Sequence, residues 1–159
     1  MKKLSIVLIL FFSTIKMYSQ ANNILIAKDL KYYKHYFLAE KHKALDEHED
    51  ALREYENCIT QNPKESAALF EAAKIYFKQG DYKQAEKHML NARKIYPENI
   101  WYAYFLMDIY SQNFDLKKQA GILHELIKID QKNLIYYLEL ITIYIDLEDY
   151  TKALKELYG

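Results

Sequence analysis

The sequence contains few of the residues that interrupt helices. Only 3 Gly and 2 Pro occur in 159 residues, although strands joined by tight turns depend on both residue types. Hydrophobic residues make up 51% of the chain, so apolar side chains are plentiful while turn residues are scarce. This composition argues against a β protein and predicts that nearly the whole chain is helical.

The chain also lacks an excess of either charge and has no pair of cysteines. The 22 Lys and Arg residues balance 22 Asp and Glu residues, which provides neither the basic surface of a nucleic-acid-binding protein nor a polybasic membrane patch. Cys58 is the only cysteine and therefore cannot form an intrachain disulfide. We predict no nucleic-acid partner and a fold stabilised by packing, with Cys58 as a small buried hydrophobic residue.

The first 21 residues have the three parts of a secretion signal. Lys2 and Lys3 precede an apolar run from Leu4 to Ile15, which is shorter than the roughly 20 residues that span a bilayer. Small residues follow, and they place the cleavage site after Ala21 or, alternatively, after Ser19. The sequence predicts a secreted or periplasmic protein with no stable membrane insertion after cleavage.

Motifs that carry catalysis or metal binding are missing. The segments "HEDAL" at His48 and "HELIK" at His124 each lack the second histidine of a zinc-protease helix. His35 and His42 are seven residues apart on one predicted helix, which is too far to chelate one ion. Since the sequence also has no glycine-rich phosphate loop and no nucleophile elbow, we predict a non-enzyme without metal or cofactor.

A 34-residue period organises the rest of the chain. Pro63 and Pro97 are one period apart, and the same step joins an acidic series at Glu47, Asp81, Asp115 and Asp149. Units begin near Tyr32, Ser66, Ile100 and Leu134, and the fourth ends early. Periods of 20 to 50 residues are typical of proteins built by stacking one structural unit.

Each unit has the pattern of two helices. In the second unit, a turn at Gly80 and an N-cap at Asp81 separate two apolar stripes of helical spacing. Pro97 cannot continue a helix and marks the joint before the next pair. Small residues at equivalent positions of the first two units should let the paired helices approach closely: Ala39, Ala51, Ala73 and Ala85.

These units resemble the tetratricopeptide repeat. The second unit carries the family pattern best, with Leu69, Ala72, Ala73, Tyr76, Gly80, Asp81, Tyr82, Ala85, Met89, Ala92 and Pro97. The third is weaker, because Gln119 replaces a small residue, and its helix pair should be splayed or shifted by one residue around Ala120. The resemblance implies an all-α, right-handed α-α superhelix, a solenoid of about three and a half helical hairpins over residues 32–159. Residues 22–31 would form an N-terminal cap or a helix extension.

The resemblance also implies a concave groove that binds a protein or peptide, with the chain acting as an interaction scaffold in the cell envelope. Family positions place the following residues in the groove: Tyr33, Tyr36, Glu40, Lys43, Phe70, Lys74, Phe77, Lys78, Trp101, Tyr104, Asp108, Ile135, Leu138, Thr142 and Ile145. Chaperone-binding members clamp a terminal carboxylate with Lys, Asn and Arg side chains. Only Lys74 could serve that purpose here, so this narrower function is not implied.

The last unit lacks the polar helix that usually ends such an array. We expect the chain to be a fragment of a longer protein, or this end to be covered by a partner or by self-association. The alternative function is accordingly an N-terminal sensory or assembly segment of a longer envelope signalling or secretion protein.

Overall fold

The computed structural model describes the backbone of residues 2–158 and the side chains of residues 16–158, and every regular element in that range is an α-helix. In chain order the helices are α1 (Lys2–Ala44), α2 (His48–Gln61), α3 (Ser66–Lys78), α4 (Tyr82–Ile95), α5 (Ile100–Gln112), α6 (Leu116–Ile129), α7 (Leu134–Asp146) and α8 (Tyr150–Tyr158). The predicted all-α fold is therefore confirmed. For the predicted secretion signal, residues 1–21, Met1 and the side chains of residues 2–15 lie outside the described part of the chain.

The chain forms two compact units, which are larger than the 34-residue repeats described above. We call them unit 1 (residues 1–63) and unit 2 (residues 64–159), and from here on a single 34-residue element is called a repeat. Unit 1 contains α1 and α2, which pack closely along the C-terminal part of α1. Residues 22–31 continue α1 as an exposed helical extension. In the part of the chain that the structure describes, no helix has both the length and the apolar character needed to cross a membrane.

Unit 2 consists of three helical pairs stacked in sequence order. The pairs are α3 with α4, α5 with α6, and α7 with α8, and the stack is held together where α4 meets α5 and α6 meets α7. The buried stripe of α6 begins at Ala120, whereas Gln119 is half-buried.

Acidic and amide side chains begin most of the helices in unit 2. Asp81 accepts a hydrogen bond from the backbone amide of Gln84 (3.1 Å), and Asp115 and Asp149 cap α6 and α8 in the same way. Each cap satisfies an amide that has no partner within its own helix. Glu47 departs from this series, because its carboxylate contacts His42 (2.6 Å) and makes no cap bond.

A left-handed residue recurs at each turn inside a helical pair. The positive φ angles belong to Asp46 (59°), Gly80 (79°), Phe114 (54°) and Glu148 (58°), which are spaced by the same 34 residues. Only glycine adopts this conformation without steric cost. Three of the four repeats therefore hold a strained residue where the second repeat has Gly80.

Replacing Phe114 by glycine should stabilise the protein. The Phe114 side chain is 88% exposed, so its removal loses little packing while the strain of φ 54° is relieved. We expect the free energy of unfolding to rise by about 0.5–1 kcal/mol, after the added flexibility of the unfolded chain is subtracted. Urea titration would measure the change. The control Phe114→Ala removes the same ring but keeps the strain, and equal effects of the two variants would contradict this explanation.

The small residues predicted to bring paired helices together are buried. Ala39, Ala51, Ala73 and Ala85 are all 0% exposed, which confirms that prediction. Larger residues such as Tyr55, Met89 and Leu106 are equally buried and fill the remaining space. The core is therefore continuous along the helical pairs of each unit and does not depend on a disulfide.

Candidate functional site

The predicted groove residues of unit 2 lie on the first helix of each pair, α3, α5 and α7. Phe70 and Phe77 on α3 are both half-buried because they contact Phe105 on α5, with ring centroids 5.7 Å and 5.3 Å apart. Phe70 also contacts the ring of Tyr102 at 5.3 Å. These two phenylalanines thus join neighbouring repeats, and only part of each ring is available to a ligand.

The lysines of α3 differ in availability. The Lys74 ammonium lies 2.6 Å from a Glu71 carboxylate oxygen and 4.8 Å from the centre of the Phe70 ring. A carboxylate ligand would have to compete with Glu71 for this charge. Lys78, at the end of α3, is exposed.

A pocket between α5 and α7 brings predicted groove residues together. It has a volume of about 410 Å³ and is lined by Tyr104, Met107, Asp108, Asn133, Ile135, Tyr136 and Glu139. Trp101 stands beside it, 68% exposed, with its ring at a steep angle to that of Tyr104 and 5.9 Å away. Concave sites with aromatic walls and a few polar groups are typical of ligand pockets. We call this the α5–α7 pocket.

The floor of the α5–α7 pocket is held by a pair of tyrosines. The hydroxyl oxygens of Tyr104 and Tyr136 are 2.6 Å apart, and this hydrogen bond, aided by burial, raises the pKa of Tyr104 to about 12. The Tyr104 phenol is therefore neutral at physiological pH. The bond between the two hydroxyls fixes the Tyr104 ring, so the aromatic wall is ordered before a ligand arrives.

Two carboxylates give the α5–α7 pocket a negative charge. Asp108 and Glu139 both line it, and none of the lining residues is basic. Partial desolvation raises the pKa of Asp108 above its usual 3.8, although its side chain remains open to solvent. Since both carboxylates lack a cation in the pocket, a positively charged ligand group would gain more there than a neutral one.

Leu138 on α7 lies next to this pocket. It is 61% exposed and lines a shallow pocket with Met107, Glu139 and Thr142. Because Met107 and Glu139 belong to both pockets, the two depressions adjoin. Leu138 extends the apolar surface of the site.

The predicted groove residues of unit 1 are largely engaged with one another. The ring of Tyr36 contacts those of Tyr32 (6.0 Å) and Tyr55 (5.9 Å). Glu40 accepts a hydrogen bond from the Tyr55 hydroxyl and pairs with the Lys43 ammonium at 2.6 Å. Tyr33 is the exposed member, at the surface of α1. Among the predicted groove residues of unit 1, Tyr33 is thus the one open aromatic ring.

A group of potential metal ligands lies at the turn between α1 and α2. One ligand atom each from His42, Glu47 and Asp50 lies within 4.8 Å of the others, a juxtaposition that the sequence did not predict. The histidine bonds Glu47, and Asp50 pairs with Arg53. Since His42 already bonds Glu47 and Asp50 already pairs with Arg53, we describe the group as a polar cluster.

Two important residues of the α5–α7 pocket, Tyr136 and Glu139, were missed by the sequence analysis. Family positions identify the inner surface of each helix, whereas these residues lie on the side of α7 that faces α5. The sequence signal that could have found Tyr136 is its position 34 residues after Tyr102. Tyr102 contacts the preceding repeat through Phe70, so Tyr136 should contact the repeat before its own.

In a comparison with protein families, one segment of the chain matches a family model. The family model described as "Tetratricopeptide repeat" matches residues 43–106. The human protein named "Tetratricopeptide repeat protein 6" is 38% identical over 77 residues, which are 48% of this chain and 14% of that protein. The chain thus spans about one seventh of that curated relative.

Comparison with solved structures extends the likeness beyond the matched segment. The structure described as "Crystal structure of MamA protein" is similar over 79% of this chain and 69% of its own, with a TM-score of 0.65 and 15% identity. The "First TPR of Spaghetti (RPAP3) bound to HSP90 peptide SRMEEVD" is similar over 75% of this chain and 97% of its own, with a TM-score of 0.58 and 14% identity. At these identities the likeness shows the fold. Residues 43–106 thus match the tetratricopeptide repeat, and the wider chain shares the solenoid fold of these structures.

Proposed function

We propose that this protein is an interaction scaffold whose α5–α7 pocket binds a segment of a partner protein. The observation that carries the proposal is that Tyr104 and Asp108 line one pocket and that the exposed ring of Trp101 contacts Tyr104 beside it. Exposed aromatic rings beside charged groups form effective binding hot spots, because the rings bury a large area and lose few rotamers. The proposal assigns no chemistry to the protein beyond binding.

The charge of the pocket specifies the partner segment. Asp108 and Glu139 favour a lysine or arginine, while Trp101 and Ile135 favour an apolar or aromatic neighbour in the same segment. The RPAP3 structure contains the peptide SRMEEVD, which ends in acidic residues. The similarity supports peptide binding, but the carboxylates here favour a segment of the opposite charge.

Trp101 offers a direct measurement of this binding. It is the only tryptophan in the chain and lies beside the pocket, so its fluorescence should change when a ligand covers it. The probe is a pool of tryptophan-free synthetic peptides that contain a lysine or arginine next to phenylalanine or leucine. A second pool with glutamate in place of the basic residue is the matched ligand control, and it should bind weakly.

Reversing the charge of Asp108 should abolish most of this affinity. In Asp108→Lys the pocket loses a carboxylate and gains a cation, so we expect binding of the basic pool to fall at least about tenfold, which corresponds to ~1.4 kcal/mol. Glu98→Lys reverses an exposed charge in the loop before α5 and should leave affinity unchanged. Equal binding by Asp108→Lys and the unaltered protein would refute the pocket as the site.

We also propose that residues 1–21 direct the protein into the cell envelope and are then removed. The support is the order of basic, apolar and small residues at the N-terminus. Intact mass of the protein isolated from its natural source distinguishes cleavage after Ala21 from cleavage after Ser19. A mass that includes Met1 to Ala21 would refute removal, and a much larger mass would make these repeats the first part of a longer protein.

A further inference from the structure

Unit 2 shows how one repeat of this chain contacts the next. Phe70 on α3 meets Tyr102 on α5, and one period later Tyr104 on α5 meets Tyr136 on α7. The second helices obey the same rule, because Lys118 pairs with Glu86 at 2.7 Å. Each of these pairs joins residues 32 positions apart. The interface between repeats of unit 2 therefore has a fixed register.

The last helical pair of unit 2, α7 with α8, presents the first half of this interface on exposed residues. Two periods beyond Phe70 and Phe77 are Leu138 and Ile145, which are apolar and exposed, and two periods beyond Ser66 is Leu134, which is 73% exposed. Leu134, Leu138 and Leu157 line a cavity of about 400 Å³ that also contains Glu156. We call this surface the tail face.

Helix α1 of unit 1 presents residues that match the complementary half. Two periods before Phe105, whose ring contacts Phe70 and Phe77 in unit 2, is Phe37, which is 70% exposed on α1. Two periods before Tyr102 is Lys34, also exposed. Tyr33 and Leu30 continue the apolar stripe of Phe37 at spacings of four and three residues, and both are exposed. We call this surface the head face.

We propose that the tail face of one copy of this chain binds the head face of another. In the interior register, Leu138 and Ile145 take the places of Phe70 and Phe77 and so contact Phe37, which takes the place of Phe105. Lys34 takes the place of Tyr102 and lies over Leu134 and Leu138, beside Glu156. The interface then combines an aromatic anchor with a pair of opposite charges.

The second copy fits these faces because both halves of the interior contact are present in this chain. Phe37 supplies an aromatic ring at the position where Phe105 has one, and the cavity at the tail face supplies leucines where unit 2 has Ser66 and Phe70. The charges agree as well, since the head face carries Lys34 and the tail cavity carries Glu156. Head-to-tail contacts join different surfaces, so they add copies in a row rather than closing a symmetric dimer.

Sedimentation velocity of the purified full chain, with its N-terminus as processed in the cell, tests this proposal. At concentrations up to about 100 µM, where contacts of micromolar affinity are populated, the unaltered protein should form a series of species larger than a dimer. Phe37→Glu and Leu134→Glu each remove one face and should each be monomeric. Tyr96→Glu changes an exposed aromatic residue in the loop after α4 and should assemble normally.

Mixing the two monomeric variants provides the decisive result. Phe37→Glu keeps its tail face and Leu134→Glu keeps its head face, so a mixture should form a one-to-one dimer and nothing larger. A symmetric dimer through either face would instead leave one variant dimeric when alone, which would overturn the head-to-tail arrangement. A monomeric unaltered protein would overturn it too. Circular dichroism of each variant must show unchanged helicity, and the swapped pair Lys34→Glu with Glu156→Lys repeats the test without altering an apolar residue.

Discussion

Replacing Leu140 by alanine is expected to lower the free energy of unfolding by about 3 kcal/mol. Leu140 is 0% exposed on α7, where it is enclosed by the helices that pack against α7. Removal of its branched end leaves a cavity that close-packed neighbours fill only in part. Urea titration followed by far-UV circular dichroism measures the loss. A decrease of this size would remove a large share of the stability of an ordinary domain.

The neighbouring residue Leu138 provides a matched control on the same helix. It is 61% exposed, so Leu138→Ala creates no cavity and should change the free energy of unfolding by less than about 0.5 kcal/mol. The two substitutions delete the same atoms two residues apart, and they differ in burial alone. Similar losses in both variants would show that α7 is not packed on the side that the structure gives.

The thiol of Cys58 is expected to resist alkylation in the folded protein. Cys58 is 0% exposed, and desolvation by burial, with a smaller effect of the nearby Glu54 charge, raises its pKa to about 12 from an ordinary 9.0. Because the thiolate is the reactive form, this difference lowers the reactive fraction about a thousandfold at pH 8. Iodoacetamide labelling followed by mass spectrometry should be slow in buffer and rapid in concentrated urea.

The same pKa shift makes stability depend on alkaline pH. The folded thiol keeps its proton at pH values where the unfolded thiol has lost it, so the folded state binds more protons between about pH 9 and 12. The stabilisation is fully present below the ordinary pKa and is lost as the pH rises through the folded pKa. Cys58→Ala should remove this part of the alkaline decline.

A cysteine on the exposed side of the same helix is the control for labelling. Thr60 is exposed on α2, so Thr60→Cys in a Cys58→Ala background should be labelled at the rate of a free thiol. Labelling of Cys58 as fast as this control would mean that α2 does not cover the thiol. A slow rate that increases together with unfolding would confirm that Cys58 belongs to the core of unit 1.

Much of the local structure follows from the spacing of a few residues. The 34-residue acidic series predicted the cap at Asp81, and the structure shows Asp115 and Asp149 in the same role. The alanines at the contact between paired helices were also identified by spacing. Caps and helical stripes involve residues within a few positions of one another, so their geometry is determined by the backbone of one helix.

The candidate site was less accessible to sequence analysis. Tyr104 and Asp108 were predicted on the inner surface, whereas Tyr136 and Glu139, which complete the α5–α7 pocket, were not. Lys74 was predicted on the inner surface, and in the structure its ammonium lies against the Glu71 carboxylate. A helical pattern specifies the direction in which a side chain points, but it does not specify which neighbouring side chain forms a hydrogen bond or ion pair with it.

The sequence by itself determined that this protein is a series of helical pairs, where each pair turns, and which small residues bring its helices together. Only the tertiary structure decided that Phe70 and Phe77 pack on Phe105, and that one pocket forms between α5 and α7 while Leu134 and Phe37 stay uncovered. The physical reason is the range of the contacts. Capping and periodicity act within one helix, but the pocket and the open faces depend on packing between residues about 32 positions apart.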